Sequence, residues 1–159
     1  MIDRVYDEKK PDVVLIGKWT AVLTGPDGAV KDMRSGTNKV VDSGTEFLSS
    51  FFNSAATAAA TFTMRYIALG TDGTAAAASN TALGTEISRH TGVVSNNSTS
   101  VFEVRATFAA GSGTGAVVEY GLLSSNTAGT LMARDIEAVI NKGASDTLTV
   151  THQLTLAGS

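Results

Sequence analysis

The sequence predicts a mainly β fold, namely an antiparallel two-sheet β-sandwich of jelly-roll type with one short helix and an N-terminal arm. Apolar and polar residues alternate over much of the chain, which is the pattern of half-buried antiparallel strands. Glycine-rich turns divide these segments into about eight strands, a number typical of sandwiches and jelly rolls. Only one segment has helical spacing instead.

The chain of 159 residues has the length of one domain. Residues 1–12 are rich in charged side chains and contain Pro11 near their end. This composition predicts an N-terminal arm that is flexible in isolation. Residues 13–159 are predicted to form a single β-sandwich domain.

The first strands are predicted to form a hairpin. Residues 13–24 are apolar and β-branched, and the Gly-Pro-Asp-Gly turn at 25–28 leads into an alternating segment. Further strands are predicted at 62–70, 86–94, 101–108, 116–124, 131–140 and 146–156. The last of these has the clearest alternation, with Leu148, Val150, Leu154 and Leu156 between threonines, and Val118, Tyr120 and Leu122 are predicted to share one face.

Residues 44–53 are predicted to form the helix. Ser43 and Glu46 have the spacing of a capping box, with Ser43 as the N-cap. An apolar face follows, formed by Phe47, Leu48, Phe51 and Phe52. We expect this face to pack against the sheet.

Few residues suggest catalysis. Cysteine is absent, which excludes thiolate chemistry, and neither His90 nor His152 has a neighbour at metal-ligand spacing. His152 lies in the apolar register of its strand and is predicted to be a hydrogen-bonded core or interface residue, and His90 is also predicted to be structural. No Gly-x-Ser-x-Gly elbow occurs, and residues 111–115 are predicted to be a hairpin loop.

The carboxylates suggest no active site either. Glu103 and Glu119 are predicted to face solvent, and Asp72 alone cannot supply a calcium site. Arg134, Asp135 and Glu137 are predicted to form a solvated or interface strip. The sequence therefore predicts no catalytic, cofactor-binding or metal-binding residue, no cofactor, and no enzymatic activity.

A long, nearly uncharged segment at residues 70–84 is the candidate contact surface. Ala-Leu-Gly-Thr occurs at both of its ends, at 68–71 and 82–85, with four consecutive alanines between. No Gly-Lys-Ser/Thr motif accompanies the glycines, so a phosphate loop is not indicated. A loop of this length and apolarity is unusual in a compact domain and favours a contact role.

The net charge of −3 and the scattered basic residues predict no nucleic-acid partner. No apolar run approaches the ~18–20 residues of a membrane span, so no membrane partner is predicted. The polar N-terminus does not resemble a secretory signal, which leads us to expect synthesis in a cytoplasm.

Four segments, taken in order, resemble small virion structural proteins of tailed bacteriophages. They are NKVVDSGTEFLSSFF, MRYIALGTDGTAAAASNTALGTEISR, EYGLLSSNTAGTLMARDI and DTLTVTHQLTL, and the resemblance covers residues 37–156. Leu123 stands where this pattern has an aromatic residue.

The resemblance implies a non-enzymatic building block of the virion, and the size of the chain favours a capsid decoration, or cement, protein. It implies a homotrimer that binds the major capsid protein on the outer capsid surface, with the arm lying on that protein or on a neighbouring subunit. Residues 70–84 would form a subunit contact. Synthesis would take place in the cytoplasm of the host bacterium.

Three alternatives remain. A tail, neck or fibre-tip component would share the resemblance but have another partner. A carbohydrate-binding sandwich module would need exposed aromatics, whereas Trp19, Tyr6, Tyr66 and Tyr120 fall mostly in predicted strands. An enzyme is the least favoured of the three.

Overall fold

The computed structural model describes residues 13–53, 64–98 and 100–158, and the predicted arm at 1–12 lies outside them. A mainly β fold with one short helix is confirmed. The elements are β1 (Val13–Thr24), β2 (Val30–Val40), α1 (Asp42–Asn53), β3 (Tyr66–Gly70), β4 (Glu86–Thr91), β5 (Val93–Ser98), β6 (Val101–Phe108), β7 (Gly115–Leu123), β8 (Leu131–Lys142) and β9 (Thr147–Gly158).

All strand pairs are antiparallel and belong to one nine-stranded sheet of order β4-β3-β7-β8-β2-β1-β9-β6-β5. The sheet curls into a nearly closed barrel, so its two halves face each other. At the junction of the halves, β2 pairs with β8 only through Lys39↔Arg134 and Val40↔Ala133. A two-sheet sandwich of jelly-roll type is therefore not confirmed.

The two outermost strands of the sheet, β4 and β5, are consecutive in the chain and are joined through Gly92. The sequence predicted one strand at 86–94, but the chain bends at Gly92: before the bend it pairs with β3 as one edge strand, and after the bend it pairs with β6 as the other. This bend brings the two free edges of the sheet close to each other, which leaves the barrel nearly closed.

The core lies between the two halves. Trp19 of β1 stacks on Tyr120 of β7, with ring centroids 4.5 Å apart, and this contact links the halves across the interior. Around the two rings pack buried residues from both halves, including Ile67, Leu69, Val104, Phe108, Val117, Leu122, Ile140, Leu148 and Val150.

The β1–β2 hairpin and the alternation of β9 are confirmed. Leu148, Val150 and Leu154 are buried, and the threonines between them lie on the outer face. In β7, however, the register shifts between Val117 and Glu119, so Val117 joins the buried face with Tyr120 and Leu122 while Val118 is only partly buried. The bulge that displaces Val118 is set by the pairing with β8, which no local pattern encodes.

The helix is confirmed, but the predicted capping box is wrong. Helix α1 begins at Asp42, and the Ser43 hydroxyl donates a hydrogen bond to the carbonyl of Leu131 in β8 (2.8 Å). Phe47 and Leu48 pack against the core. The side chains of Phe51 and Phe52 lie outside the described residues.

The predicted hairpin loop at 111–115 is also wrong, because β6 and β7 are not neighbours in the sheet. The link between them crosses one end of the barrel, where the Gly111 amide donates to the Ala144 carbonyl (2.7 Å). Lys142 is buried beside it and donates to the carbonyls of Ala109 (3.1 Å) and Asp146 (2.7 Å).

Candidate interaction surface

The segment between β3 and β4, residues 71–85, lies against the outer side of β7 and β8. We call it the β3–β4 loop. Leu83 points inward from it and joins a second, smaller apolar cluster with Ala68, Leu123 and Leu131. The loop therefore covers the half of the sheet that would otherwise expose these side chains.

Arg134 of β8 lies between the sheet and the middle of the β3–β4 loop and binds the loop by hydrogen bonds. Its side chain is 2 % exposed, and its guanidinium donates to the carbonyl of Thr74 (3.0 Å) and to Oδ1 of Asn80 (3.1 Å). Its Nη2 lies 3.6 Å from the Asp72 carboxylate. Arg134 was predicted to lie on a solvated or interface strip, and that placement is wrong because the loop covers it.

Glu119 of β7 holds the end of the loop. Its carboxylate accepts a hydrogen bond from Arg134 Nε (2.7 Å) and from the backbone amides of Gly84 (2.6 Å) and Thr85 (3.2 Å). Glu119 is fully buried, so its predicted solvent-facing position is wrong. A buried carboxylate requires such partners, since an unpaired charge in the interior is costly.

The glycines of the two Ala-Leu-Gly-Thr repeats flank this ion pair. A Cβ on Gly70 would collide with the Glu119 carboxylate, and a Cβ on Gly84 would collide with that of Asp72. The repeats thus allow the backbone to pass close to the carboxylates of Glu119 and Asp72, which is a structural role for glycine.

The carboxylate of Asp72 accepts hydrogen bonds from within the β3–β4 loop itself. Its Oδ1 accepts hydrogen bonds from the backbone amide (2.9 Å) and the hydroxyl (2.8 Å) of Thr74, and these bonds lower the pKa of Asp72 below 3.8. Across the residues that the structure describes, no three His, Asp or Glu side chains converge as a metal site.

The outward side of the β3–β4 loop is small and uncharged. Its exposed residues are Thr71, Gly73, Thr74, Ala75, Ala77, Ser79, Thr81, Ala82, Gly84 and Thr85. Such side chains lose little rotamer entropy when a partner covers them, and they carry no charge to desolvate. Because the loop is already fixed to the sheet, little further conformational entropy would be lost when a partner binds it.

Both histidines have structural contacts. His152 is buried beside Trp19, and its Nδ1 lies 3.0 Å from Nδ2 of Asn38, as predicted for a hydrogen-bonded core histidine. Burial lowers its pKa to about 4. His90 contacts the Thr107 carbonyl (3.2 Å) and the Ser112 hydroxyl (2.8 Å).

An apolar cavity of about 230 Å³ lies beneath α1. Its described lining is entirely apolar and consists of Leu15, Phe47, Leu48, Met64, Phe102, Met132, Leu154 and Leu156. Ligand sites normally combine apolar walls with a few polar groups that orient the ligand. We therefore assign the cavity no ligand.

Asp135 lies inside the barrel, close to the junction of β2 and β8. It pairs with Tyr120 across β7 and β8 and is only 8 % exposed, so its predicted place on a solvated strip is wrong. Burial, reinforced by the negative charge of Glu137, raises the pKa of Asp135 from 3.8 to about 6. The ionised carboxylate is therefore less stable in the folded chain than in the unfolded one.

We expect Asp135 to add about 1–2 kcal/mol to the free energy of unfolding as the pH falls from 7.5 to 5, after allowance for partial solvation of the carboxylate. His152 acts in the opposite direction over the same range. Its pKa falls from 6.5 to about 4 on burial, so the unfolded chain binds a proton that the folded chain does not. The penalty on ionised Asp135 is complete above pH 6 and absent below pH 3.8. Asp72 and Asp146, whose pKa values are lowered, lose their stabilising effect only at more acidic pH. Urea unfolding at several pH values measures this.

The Asp135→Asn variant should be more stable than the wild type at pH 7.5, and this advantage should shrink by about 1–2 kcal/mol at pH 5, where Asp135 of the folded wild type is protonated. The comparison cancels the effect of His152, which both proteins contain. The control is Glu46→Gln, which removes an exposed carboxylate from α1 and should differ from the wild type by the same small amount at both pH values. An advantage of Asp135→Asn that is equally large at pH 7.5 and pH 5 would contradict the prediction.

Comparison with protein-family models, with curated proteins and with solved structures found no match for this chain. In the described part of the chain, no helix is long and apolar enough to cross a membrane.

The Glu119–Arg134 pair was not predicted from the sequence, although a signal was present. Each of the two residues has apolar neighbours in its strand, in VVEYGLL and in LMARDI. A charge within a strand that is apolar on both sides indicates a buried pair, and its partner is most often on an adjacent strand.

Proposed function

We propose that the chain is a non-enzymatic structural protein of a tailed-phage virion that decorates and stabilises the capsid. The observation that supports this best is the β3–β4 loop, which presents an uncharged surface of small residues held by a buried ion pair. Such a surface is suited to permanent contact with another protein. It agrees with the resemblance of residues 37–156 to small virion proteins.

We assign the β3–β4 loop to the contact between subunits of a homotrimer. The loop is anchored at its middle by Arg134 and at its end by Glu119, and the Asp42 amide of α1 donates to its Ala78 carbonyl (2.9 Å). A surface fixed at several points can hold three subunits in one geometry. The remaining outer surface is then free to contact the major capsid protein.

Binding to the expanded shell would stabilise it, because a protein that binds only one state of a shell shifts the equilibrium toward that state. The test uses purified protein and expanded empty capsids of the phage that encodes it. We expect the protein to co-sediment with these capsids and to raise their melting temperature. Failure to bind capsids, or co-purification with tails instead, would overturn the assignment to the head.

Placing a charge on the loop should separate the subunits. Thr81 is exposed on the β3–β4 loop, and in Thr81→Glu three like charges would come together at the trimer contact. Light scattering should give the mass of a trimer for the wild type and that of a monomer for this variant.

Thr127→Glu is the matched control. Thr127 is equally exposed but lies in the loop between β7 and β8, so this variant should remain trimeric. Circular dichroism of both variants should match that of the wild type. A monomeric wild type, or a trimeric Thr81→Glu, would remove the loop from the subunit contact.

A further inference from the structure

The other half of the sheet has an outer face that no element of the described chain covers. It is formed by β2, β1, β9 and β6, and we call it the threonine face. Residues that pair across neighbouring strands form rows on this face. Two of these rows are Ser35–Thr20–Thr151–Arg105 and Met33–Val22–Thr149–Thr107. Hydroxyl groups dominate these two rows, which also contain Val22 and Met33. Further exposed apolar side chains lie nearer the ends of the same strands, namely Val14 and Ile16 of β1 and Val30 of β2.

Charge is segregated onto this face. Four basic residues are exposed in the described chain, and all four lie on the threonine face: Lys18, Lys31, Lys39 and Arg105. The exposed acidic residues of the described chain lie elsewhere, namely Asp27 in the β1–β2 turn, Asp42 and Glu46 on α1, and Glu86 on β4. The chain as a whole has a net charge of −3, so the face has the opposite sign to the whole molecule.

Three of these basic groups are available to a partner. Lys31 donates to the Asp146 carboxylate (3.0 Å), whereas Lys18, Lys39 and Arg105 form no ion pair with a described residue. One carboxylate, that of Glu103, lies on the face, and it accepts hydrogen bonds from Gln153 (2.7 Å) and Ser95 (3.4 Å). The face therefore presents unpaired positive charge on a rigid sheet.

We propose that the threonine face docks onto an acidic surface of a partner protein. Lys18 and Arg105 lie in adjacent rows two strand spacings apart, about 10 Å. Carboxylates at a similar spacing would meet them, while the hydroxyls offer hydrogen bonds and Val22 and Met33 offer apolar contact. Charge complementarity of this kind sets orientation and partner choice.

An acidic protein surface fits better than a nucleic acid. The outer positions of these four strands carry no aromatic side chain on which a base could stack. The negatively charged carboxylate of Glu103 would also lie against the phosphates of a nucleic acid bound to this face, and would repel them. The flat, hydroxyl-rich face instead resembles the polar rim and small apolar centre of protein interfaces.

The test compares two variants of the full chain that have the same net charge. Lys18→Gln with Arg105→Gln removes two positive charges from the threonine face. Asn126→Asp with Thr127→Glu adds two negative charges at exposed positions of the β7–β8 loop. Both variants differ from the wild type by −2, so an effect of net charge alone would appear in both.

Two probes are used, because the identity of the acidic partner rests on the proposed function. One is immobilised poly-L-glutamate, and the other is the expanded empty capsid. On poly-L-glutamate we expect the Lys18/Arg105 variant to bind about tenfold more weakly than the wild type, with a smaller dependence on salt. The Asn126/Thr127 variant should bind like the wild type.

The outcomes separate the two proposals. If the wild type binds poly-L-glutamate through this face but ignores capsids, the docking inference stands and the capsid function fails. If both variants bind poly-L-glutamate equally, or if the wild type does not bind it, the docking inference is overturned. Stronger retention on double-stranded DNA, lost in the Lys18/Arg105 variant, would overturn it in favour of a nucleic-acid face.

Discussion

Replacing Arg134 by leucine is expected to lower the free energy of unfolding by about 3–5 kcal/mol, the usual cost of leaving one member of a buried ion pair without its partner. Glu119 is fully buried and would be left with only the amides of Gly84 and Thr85 as hydrogen-bond donors. Leucine also cannot replace the hydrogen bonds from Arg134 to the β3–β4 loop.

The same variant should release the loop from the sheet. Amide hydrogen exchange at Gly84 and Thr85 should accelerate, since Glu119 is the acceptor of both amides and Arg134 fixes the carboxylate. If the loop is the subunit contact, the variant should also lose its trimeric mass. Urea unfolding, hydrogen exchange and light scattering therefore report stability, loop order and assembly separately.

Two further variants make this result specific. Arg105→Leu removes an exposed arginine from the threonine face and should change the stability by less than about 0.5 kcal/mol. Arg134→Leu combined with Glu119→Leu removes both charges and should be more stable than Arg134→Leu alone, because no buried charge is left without a partner. A double variant less stable than the single one would show that the pair is not the main anchor.

Local patterns predicted the elements whose signals lie within one segment. The alternation of Leu148, Val150 and Leu154 is enough to identify β9, and the spacing of Phe47 and Leu48 with the next two phenylalanines is enough to identify α1. Both signals depend on neighbours within a few residues. They need no knowledge of which strands pair.

The site and the closure of the sheet could not be predicted, because they depend on contacts between distant segments. From the sequence, Glu119 and Arg134 are predicted to be surface charges, but in the structure the β3–β4 loop covers them. Ser43 is predicted to be an N-cap, but in the structure its hydroxyl bonds to the Leu131 carbonyl of β8. Asp135 is likewise predicted to be solvated, but it is buried because the two halves of the barrel face each other. In each case, the competing local interpretation was chemically sound but the tertiary contact prevailed.

Gly92 is the position where barrel closure depends on a single residue, and Gly92→Ala is expected to cost about 2–3 kcal/mol of stability. A Cβ at this position would lie 2.5 Å from Cγ1 of Val104 and 3.1 Å from the carbonyls of Arg65 and Arg105. The Gly92 amide donates to that same Arg65 carbonyl (2.6 Å), so the backbone cannot withdraw without losing a hydrogen bond. Thermal or urea unfolding measures the loss.

Gly73→Ala provides the matched control, because nothing lies within 4 Å of the added Cβ and Gly73 does not have a positive φ. That variant should remain within about 0.5 kcal/mol of the wild type. If both substitutions cost the same, the loss at Gly92 would reflect the general effect of removing a glycine from the chain.

A double-mutant cycle with Val104→Ala locates the clash. Val104 is fully buried, so Val104→Ala alone should cost about 1–3 kcal/mol through the space it leaves. In the double variant the new Cβ of residue 92 would enter that space, and the total cost should be at least about 1 kcal/mol smaller than the sum of the single costs. Strict additivity would mean that the backbone carbonyls, and not Val104, forbid a side chain at the bend. In either case, the close approach of β4, β5 and β6 at Gly92 would be what joins the two edges of the sheet.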